Sequence, residues 1–167
     1  KGPLDGIRIK DWTIWQQGPV AGAMLGDLGA DVIKIEEREK GDGGRAMFVV
    51  PGGDGSSPYW EMNNRNKRSL TGDLKQAEGV ELVRKWIDQA DVFVQNFRPS
   101  VAERLGLDYE TLRARNPKLV YAAASAFGPE GPEATARAYD LLGQARSGLL
   151  LRQGLDEPDD AIEARGG

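Results

Sequence analysis

Short extended segments alternate with helical ones along this chain, and that alternation constrains its fold more than any other feature. Gly6-Ile7-Arg8-Ile9-Lys10-Asp11-Trp12 carries apolar side chains at alternate positions, the period of a strand. Pro19 then fits the first position of a helix, and Val20, Met24, Leu25 and Leu28 fall on one helical face. Gly29 closes that helix and Asp31 to Glu36 supplies a second strand, completing β-α-β within about 30 residues. The pattern predicts an α/β fold with a largely parallel sheet.

The alternation continues after an interruption. Residues 37–60 hold Gly41, Gly43, Gly44, Gly52, Gly53 and Gly55 around Met47-Phe48-Val49-Val50, a long irregular segment of the kind that is functional or mobile. An extended piece near Arg68 to Thr71 follows, then a helix over about 76–90 with Val80, Val83, Trp86, Ile87 and Ala90 inward. Asp91-Val92-Phe93-Val94 reads as a buried strand. Ser100 and Glu103 have the spacing of a capping box for a helix ending at Gly106. Asp108 suits the cap of the next helix, which Asn116-Pro117 stops. Leu119 to Ala124 is a further strand, Gly128 to Pro132 a loop, and 137–150 a last helix. Residues 155–167 form an acidic segment without a packed terminal element, which reads as a cut leading into a missing C-terminal part.

Composition removes whole classes of chemistry. The chain of 167 residues has no cysteine and no histidine. Thiolate nucleophiles, disulfides, His-centred triads and Cys or His metal sites are therefore excluded within it, and no metal is expected. Any acid, base or nucleophile here is Asp, Glu, Lys, Tyr or Ser. A net charge of −4 gives no global attraction to nucleic acid. No apolar run reaches membrane-spanning length and the start lacks a signal-peptide core, so the reading is cytoplasmic, with no membrane partner.

Ligands of α/β sheets bind beyond the carboxyl ends of the strands, so the turn Thr13-Ile14-Trp15-Gln16-Gln17-Gly18 is a natural ligand loop. The neutral amides of Gln16 and Gln17 can orient a carboxylate or stabilise an oxyanion, or can simply hold the turn. Trp15 lies in that loop, whereas Trp12, Trp60 and Trp86 read as core or interface. Gly26 and Gly29 sit late in the helix rather than in the turn opening it, so the dinucleotide fingerprint is missing and these glycines serve packing and a helix stop. Arg65, Lys67, Arg68, Lys75, Arg98, Arg104 and Arg137 are the basic candidates for holding phosphates, against the ordinary alternative of solvated side chains. Asn96-Phe97-Arg98-Pro99 follows a strand, where Phe97 can offer a flat apolar face. Asp140 reads as a first-turn carboxylate favoured by the helix dipole.

Several short motifs stand in a fixed order: Pro3-Leu4-Asp5-Gly6-Ile7, Gly26 to Glu36, Asn66-Lys67-Arg68-Ser69-Leu70, Ala90 to Pro99 and Tyr139-Asp140-Leu141-Leu142. In that order and spacing the chain resembles the N-terminal portion of the family III CoA-transferases, the CaiB/BaiF type, from Pro3 to about Gly154. The resemblance implies a Rossmann-like, mostly parallel sheet flanked by helices, with residues 1–154 forming part of the family's large, CoA-binding domain. It implies transfer of coenzyme A from an acyl-CoA to a small carboxylic acid through covalent aspartyl intermediates, in an interlocked homodimer. Coenzyme A or acyl-CoA is then a substrate, and no cofactor is permanently bound.

By the same resemblance Gln16 matches the glutamine beside the reacting carboxyl group in formyl-CoA transferase-like members, flanked by Trp15 and Gln17. Lys75, Asn96, Phe97, Arg104 and Tyr139 match positions lining the CoA site, and Arg137 replaces a lysine there. Glu37 departs from the pattern, standing in place of an arginine with Arg38 adjacent, and Gly72 replaces a leucine. The nucleophilic aspartate is expected just past Gly167. Related 2-methylacyl-CoA racemases carry a histidine where Tyr139 stands, which favours transfer over epimerisation. A non-catalytic CoA-binding module is the other reading, and a generic nucleotide-binding α/β domain a weaker one.

Overall fold

The computed structural model describes residues 1–152. The chain separates into two compact units, Lys1–Ser125 and Ala126–Gly167. In the first, strands β1 (Arg8–Trp12), β2 (Asp31–Glu37), β3 (Lys67–Gly72), β4 (Val92–Gln95) and β5 (Val120–Ala123) form one sheet in the order β3-β2-β1-β4-β5. Every neighbouring pair is parallel, with Ile9 opposite both Val32 and Val92. This is the α/β sheet that the alternation predicts. No helix among the described residues is long and apolar enough to cross a membrane.

Helix α1 (Gln17–Asp27) joins β1 to β2 but buries a different face from the one its large apolar residues suggest. Gly18, Pro19, Gly22 and Ala23 are buried, while Met24 and Leu28 are exposed. Close approach explains the choice: a Cβ on Gly22 would lie 2.5 Å from an Asp11 carboxylate oxygen and 3.1 Å from the Lys67 ammonium. Pro19 is inside the first turn rather than at its first position, since the helix begins at Gln17. Gly29, at φ +100°, ends the helix as expected.

The irregular stretch after β2 holds a single 3₁₀ turn (Gly43–Ala46) and then α2 (Pro58–Asn64), capped by the Ser57 hydroxyl, which accepts from the Trp60 amide. Helix α3 (Ala77–Ile87) presents Val80, Val83 and Ile87 to the sheet, with Arg84 and Lys85 in its last turn, where the helix dipole favours them. Helix α4 (Pro99–Leu105) corrects the capping-box expectation. Pro99 takes the first helical position, so Arg98 is the cap residue and the Ser100–Glu103 spacing has no terminus to serve. Gly106 ends α4 in the left-handed region at φ +58°. Asp108 caps α5 (Tyr109–Arg115) by accepting the Thr111 amide at 3.0 Å.

One core cluster, including Trp12, Ile35, Val83, Ile87, Phe93, Leu107 and Leu112, lies between the sheet and α3 to α5. A smaller one around Ile9, Val32 and Val94 lies with Leu25 of α1. In the second unit the expected helix over 137–150 is two short ones, α6 (Asp140–Arg146) and α7 (Leu149–Arg152), separated at Gly148 with φ +74°. The expected acidic segment 155–167 lies outside the described residues.

Candidate functional site

Strand order reverses between β1 and β4, because β2 and β3 extend the sheet to one side of β1 and β4 and β5 to the other. Connections leaving the carboxyl ends of β1 and β4 diverge there, and such divergence leaves a crevice. A crevice of about 370 Å³ lies at those strand ends. Its wall includes Trp12 to Trp15 at the end of β1 and in the turn beyond it, Gly41 to Gly43 after β2, Gly72 to Lys75 at and after the end of β3, Phe97 after β4, and Arg104 and Leu105 of α4.

The turn after β1 is gripped almost atom by atom. The Thr13 amide donates to Asp11 Oδ1 at 3.1 Å, and the Thr13 carbonyl accepts from Lys34 Nζ at 2.6 Å. Ile14 is held on both sides by Asn96: its amide donates to Oδ1 and its carbonyl accepts from Nδ2, both at 2.8 Å. The Trp15 amide donates to Asp42 Oδ1 at 3.3 Å, and the Gln16 carbonyl accepts the Val20 amide at 2.9 Å. Trp15 sits at φ +69°, a region few non-glycine residues occupy. Gln16 is the N-cap residue of α1 but makes no side-chain cap bond, so its exposed amide is not spent on the helix.

Of the residues singled out in the sequence, Trp15, Lys75, Phe97 and Arg104 line the crevice together. Phe97 stacks on Trp12 with ring centroids 4.2 Å apart, which fixes it as an apolar wall. Gln16 and Gln17 are exposed at the rim turn that opens α1. Asn96 bridges the ends of β4 and β1 rather than lining the crevice. Arg38 projects from the exposed turn after β2; Glu37, its neighbour, accepts the Lys40 and Glu39 amides at 2.7 and 3.1 Å and so closes that turn. Those backbone bonds hold the Glu37 carboxyl below the usual carboxylate range. Arg137 and Tyr139 belong to the second unit, where both are exposed and Tyr139 precedes α6. Asp140 is a first-turn carboxylate of α6, bonded to the Gln144 amide.

Other basic candidates are committed elsewhere. Arg65 pairs with Asp27 at 2.5 Å and Arg68 with Asp31 at 2.6 Å, both at the surface. The Lys67 side chain is buried, and its ammonium donates to Asp11 at 2.7 Å, to the Pro19 carbonyl at 2.7 Å and to Asn64 Oδ1 at 3.0 Å. Burial pulls that ammonium below the usual lysine range, and the Asp11 carboxylate only partly offsets it.

Lys67 belongs to a layer of buried charge that starts at the crevice wall, with Glu36 and Asp42, and that residue-by-residue reading missed. Asp11, Glu36 and Asp42 are matched there by Lys67, Arg45 and Lys34. Glu36 accepts from Arg45 Nε and Nη2 at 2.8 Å each, from the Ser69 hydroxyl at 2.5 Å and from the Asp42 amide at 3.0 Å. Burial pushes its carboxyl up, but those bonds together outweigh it and leave the group below the usual range. The available signal was Lys34 and Glu36 themselves, charged residues in step with Val32 on one face of a strand enclosed on both sides.

With this geometry established, the chain's relationships give it a class. Residues 4–163 match the model of CoA-transferase family III, and the chain belongs to that family. It is 45% identical over 164 residues to the succinate–glutarate CoA-transferase of Agrobacterium fabrum (strain C58 / ATCC 33970), an alignment covering 95% of this chain and 40% of that protein. Among solved structures, a CaiB/BaiF family protein from Brucella suis superposes with a TM-score of 0.82 at 40% identity, covering 89% of this chain and 40% of that one. A protein of M. tuberculosis in its orthorhombic form superposes with a TM-score of 0.85 at 39% identity, covering 95% and 44%. The chain thus spans well under half the length of the relatives it matches.

Proposed function

We propose that this segment supplies the CoA-binding crevice and a supporting glutamine to an enzyme that moves coenzyme A from an acyl-CoA to a small carboxylic acid. One observation carries the reading: Lys75, Arg104 and Phe97 converge on a switch-point crevice that Trp15 also lines, with Gln16 the next residue along the rim turn. Cations on loops suit the diphosphate and 3′-phosphate of CoA, and the Trp12–Phe97 stack offers the pantetheine or adenine an apolar face. Arg38, Asn96, Arg137 and Tyr139 join them through family likeness. Tyr139 supports transfer over epimerisation, which in related racemases uses a histidine at that place.

In this reading an aspartate beyond residue 167 attacks the thioester carbonyl, breaking the C–S bond to give a mixed anhydride and CoA thiolate. The thiolate attacks the aspartyl carbonyl and expels the donor acid, leaving an aspartyl-CoA thioester. The acceptor carboxylate displaces the thiolate to form a second anhydride. The thiolate then takes the new acyl group and frees the aspartate. The Gln16 amide, exposed at the rim, would donate to the oxyanion that forms in these steps. Family likeness also supports an interlocked homodimer in the cytoplasm.

The test uses protein expressed from its full reading frame, succinyl-CoA as donor, and glutarate, oxalate and formate as acceptors. The expected result is a new CoA ester and, in the intact-protein mass spectrum, a CoA adduct that hydroxylamine removes. Gln16→Ala should then lower turnover by roughly 100-fold while changing CoA affinity less than about threefold. CoA binding without adduct or transfer would support the non-catalytic module instead.

A further inference from the structure

Asp42, at the crevice wall, and Lys34 beside it are among the most enclosed charges there, each with a side chain 1% exposed. They lie 2.9 Å apart, yet Asp42 Oδ2 accepts no hydrogen bond; the lysine balances it by charge. Fully buried pairs are seldom favoured over apolar packing of the same volume, so their other bonds matter. Lys34 holds the Thr13 carbonyl at 2.6 Å. Asp42 Oδ1 accepts the Gly44 amide at 2.8 Å and the Trp15 amide at 3.3 Å. The adjoining Gly43 lies under the Trp15 ring, where a Cβ would come within 2.6 Å of it. Backbone and ring of Trp15 are thus fixed by consecutive residues of one loop, at a residue whose φ of +69° needs such support. Gln16 is the next residue, and its side-chain direction follows from the dihedrals of Trp15.

We propose that Asp42, held in place by Lys34, is a positioning residue for Gln16: it locks the left-handed Trp15 and thereby aims the Gln16 amide across the crevice rim. The inference rests on the CoA-transfer reading above. It assigns Asp42 no contact with substrate.

Two neutral double variants isolate the claim, because both remove the buried charges and differ only at residue 42, where one keeps a carboxamide whose oxygen can accept from Trp15 and Gly44 and the other has no acceptor. These are Lys34→Met with Asp42→Asn, and Lys34→Met with Asp42→Ala, each made in the full-reading-frame protein and assayed with succinyl-CoA and glutarate. The alanine version is expected to turn over roughly 10- to 100-fold more slowly than the asparagine version, with KM for succinyl-CoA within about threefold. In a Gln16→Ala background that difference should shrink to under about twofold, since Asp42 acts through Gln16. Equal turnover of the two versions, or an undiminished difference without Gln16, overturns the proposal. If the wild-type protein transfers no CoA to any acid, the transfer reading fails separately. Amide exchange then decides the holding role: Trp15 and Gly44 should exchange at least roughly tenfold faster in the alanine version, and equal rates refute it.

Discussion

Replacing Arg45 by Met measures how the buried charge at the crevice wall is balanced. Glu36 has a side chain 1% exposed and spends both oxygens on four donors, two of them from Arg45 at 2.8 Å. Methionine keeps the apolar stem beside Trp60, over whose ring the guanidinium sits at 3.7 Å, and deletes both charged donors. Stripping one partner from a fully enclosed pair costs about 3–5 kcal/mol. Here the Arg45 side chain is 43% exposed, and Glu36 keeps bonds from Ser69 and the Asp42 amide. Screening and those remaining bonds reduce the expected loss to about 2–3 kcal/mol at neutral pH. The sign of its pH dependence follows from Glu36. In the wild type its carboxyl is held below the usual range, so it adds stability above the unfolded pKa, and that stability is lost as pH falls through the lower folded value. Without Arg45 two of the influences that lower the carboxyl are gone while burial, the largest single one, remains, so the carboxyl is expected to rise above the usual range. The folded variant then takes up a proton before its unfolded chain does. The deficit should therefore be largest near pH 7 and shrink on acidification, by about half or more by pH 5. Denaturant midpoints of both proteins across this range give the measurement, and Glu36→Gln provides the control background in which Arg45→Met should cost under about 1 kcal/mol. A deficit of constant size from pH 7 to pH 5 would refute the argument.

Gly43→Ala should push the Trp15 ring from its seat, since the new Cβ would lie 2.6 Å from it; calorimetry should find CoA bound about tenfold more weakly, with stability changed by less than about 1 kcal/mol. Gly106→Ala forces a side chain onto a left-handed residue at φ +58° and into Arg84, whose Nη2 bonds the Leu105 carbonyl at 2.6 Å; thermal unfolding should show a loss of about 1–2 kcal/mol, and an unchanged midpoint would contradict it. Lys75→Met and Arg104→Met should each weaken CoA binding roughly three- to tenfold and flatten its salt dependence while turnover at saturation holds, because exposed cations attract phosphate without touching the reacting carbon.

Most of the sheet was legible because parallel strands enclosed on both faces read as short apolar runs. Asp91 to Val94 is such a run; Leu119 to Ala124 is equally apolar although the β5 it marks is a largely exposed edge strand, and the observed β4 and β5 fall within a residue of these runs. Helix α1 was legible in position but not in orientation. Periodicity weighs side-chain bulk and looks to Met24 and Leu28, whereas the packed face consists of Gly18, Gly22 and Ala23, chosen for how close the backbone must come to Thr13, Asp11 and Lys67. The Ser100–Glu103 spacing misled for a related reason. A capping box needs its first residue outside the helix, and Pro99, already preset for a first helical position, starts the helix one residue too early for it.

The crevice was partly legible for a topological reason: strand ends at a switch point bind ligands whatever their sequence, so the turn after β1 and the Asn96-Phe97 corner could be named in advance. What each residue does there depends on distance, which spacing does not encode. Asn96 falls beside β1 only because β4 pairs with it, Asp11 opposite Val94 and Trp12 opposite Gln95, and that pairing turns an amide from residue 96 onto the backbone of Ile14. Lys34 and Asp42 are eight positions apart across an irregular loop, and nothing local announces that they meet behind Trp15. Yet a lysine and a glutamate in step with Val32 had no apolar role to play, and an enclosed strand tolerates charge only where partners complete it. Those partners turn out to be the groups that hold the rim of the crevice. Charge in a core strand was therefore the signal for this layer, and it went unread because each residue was weighed by itself.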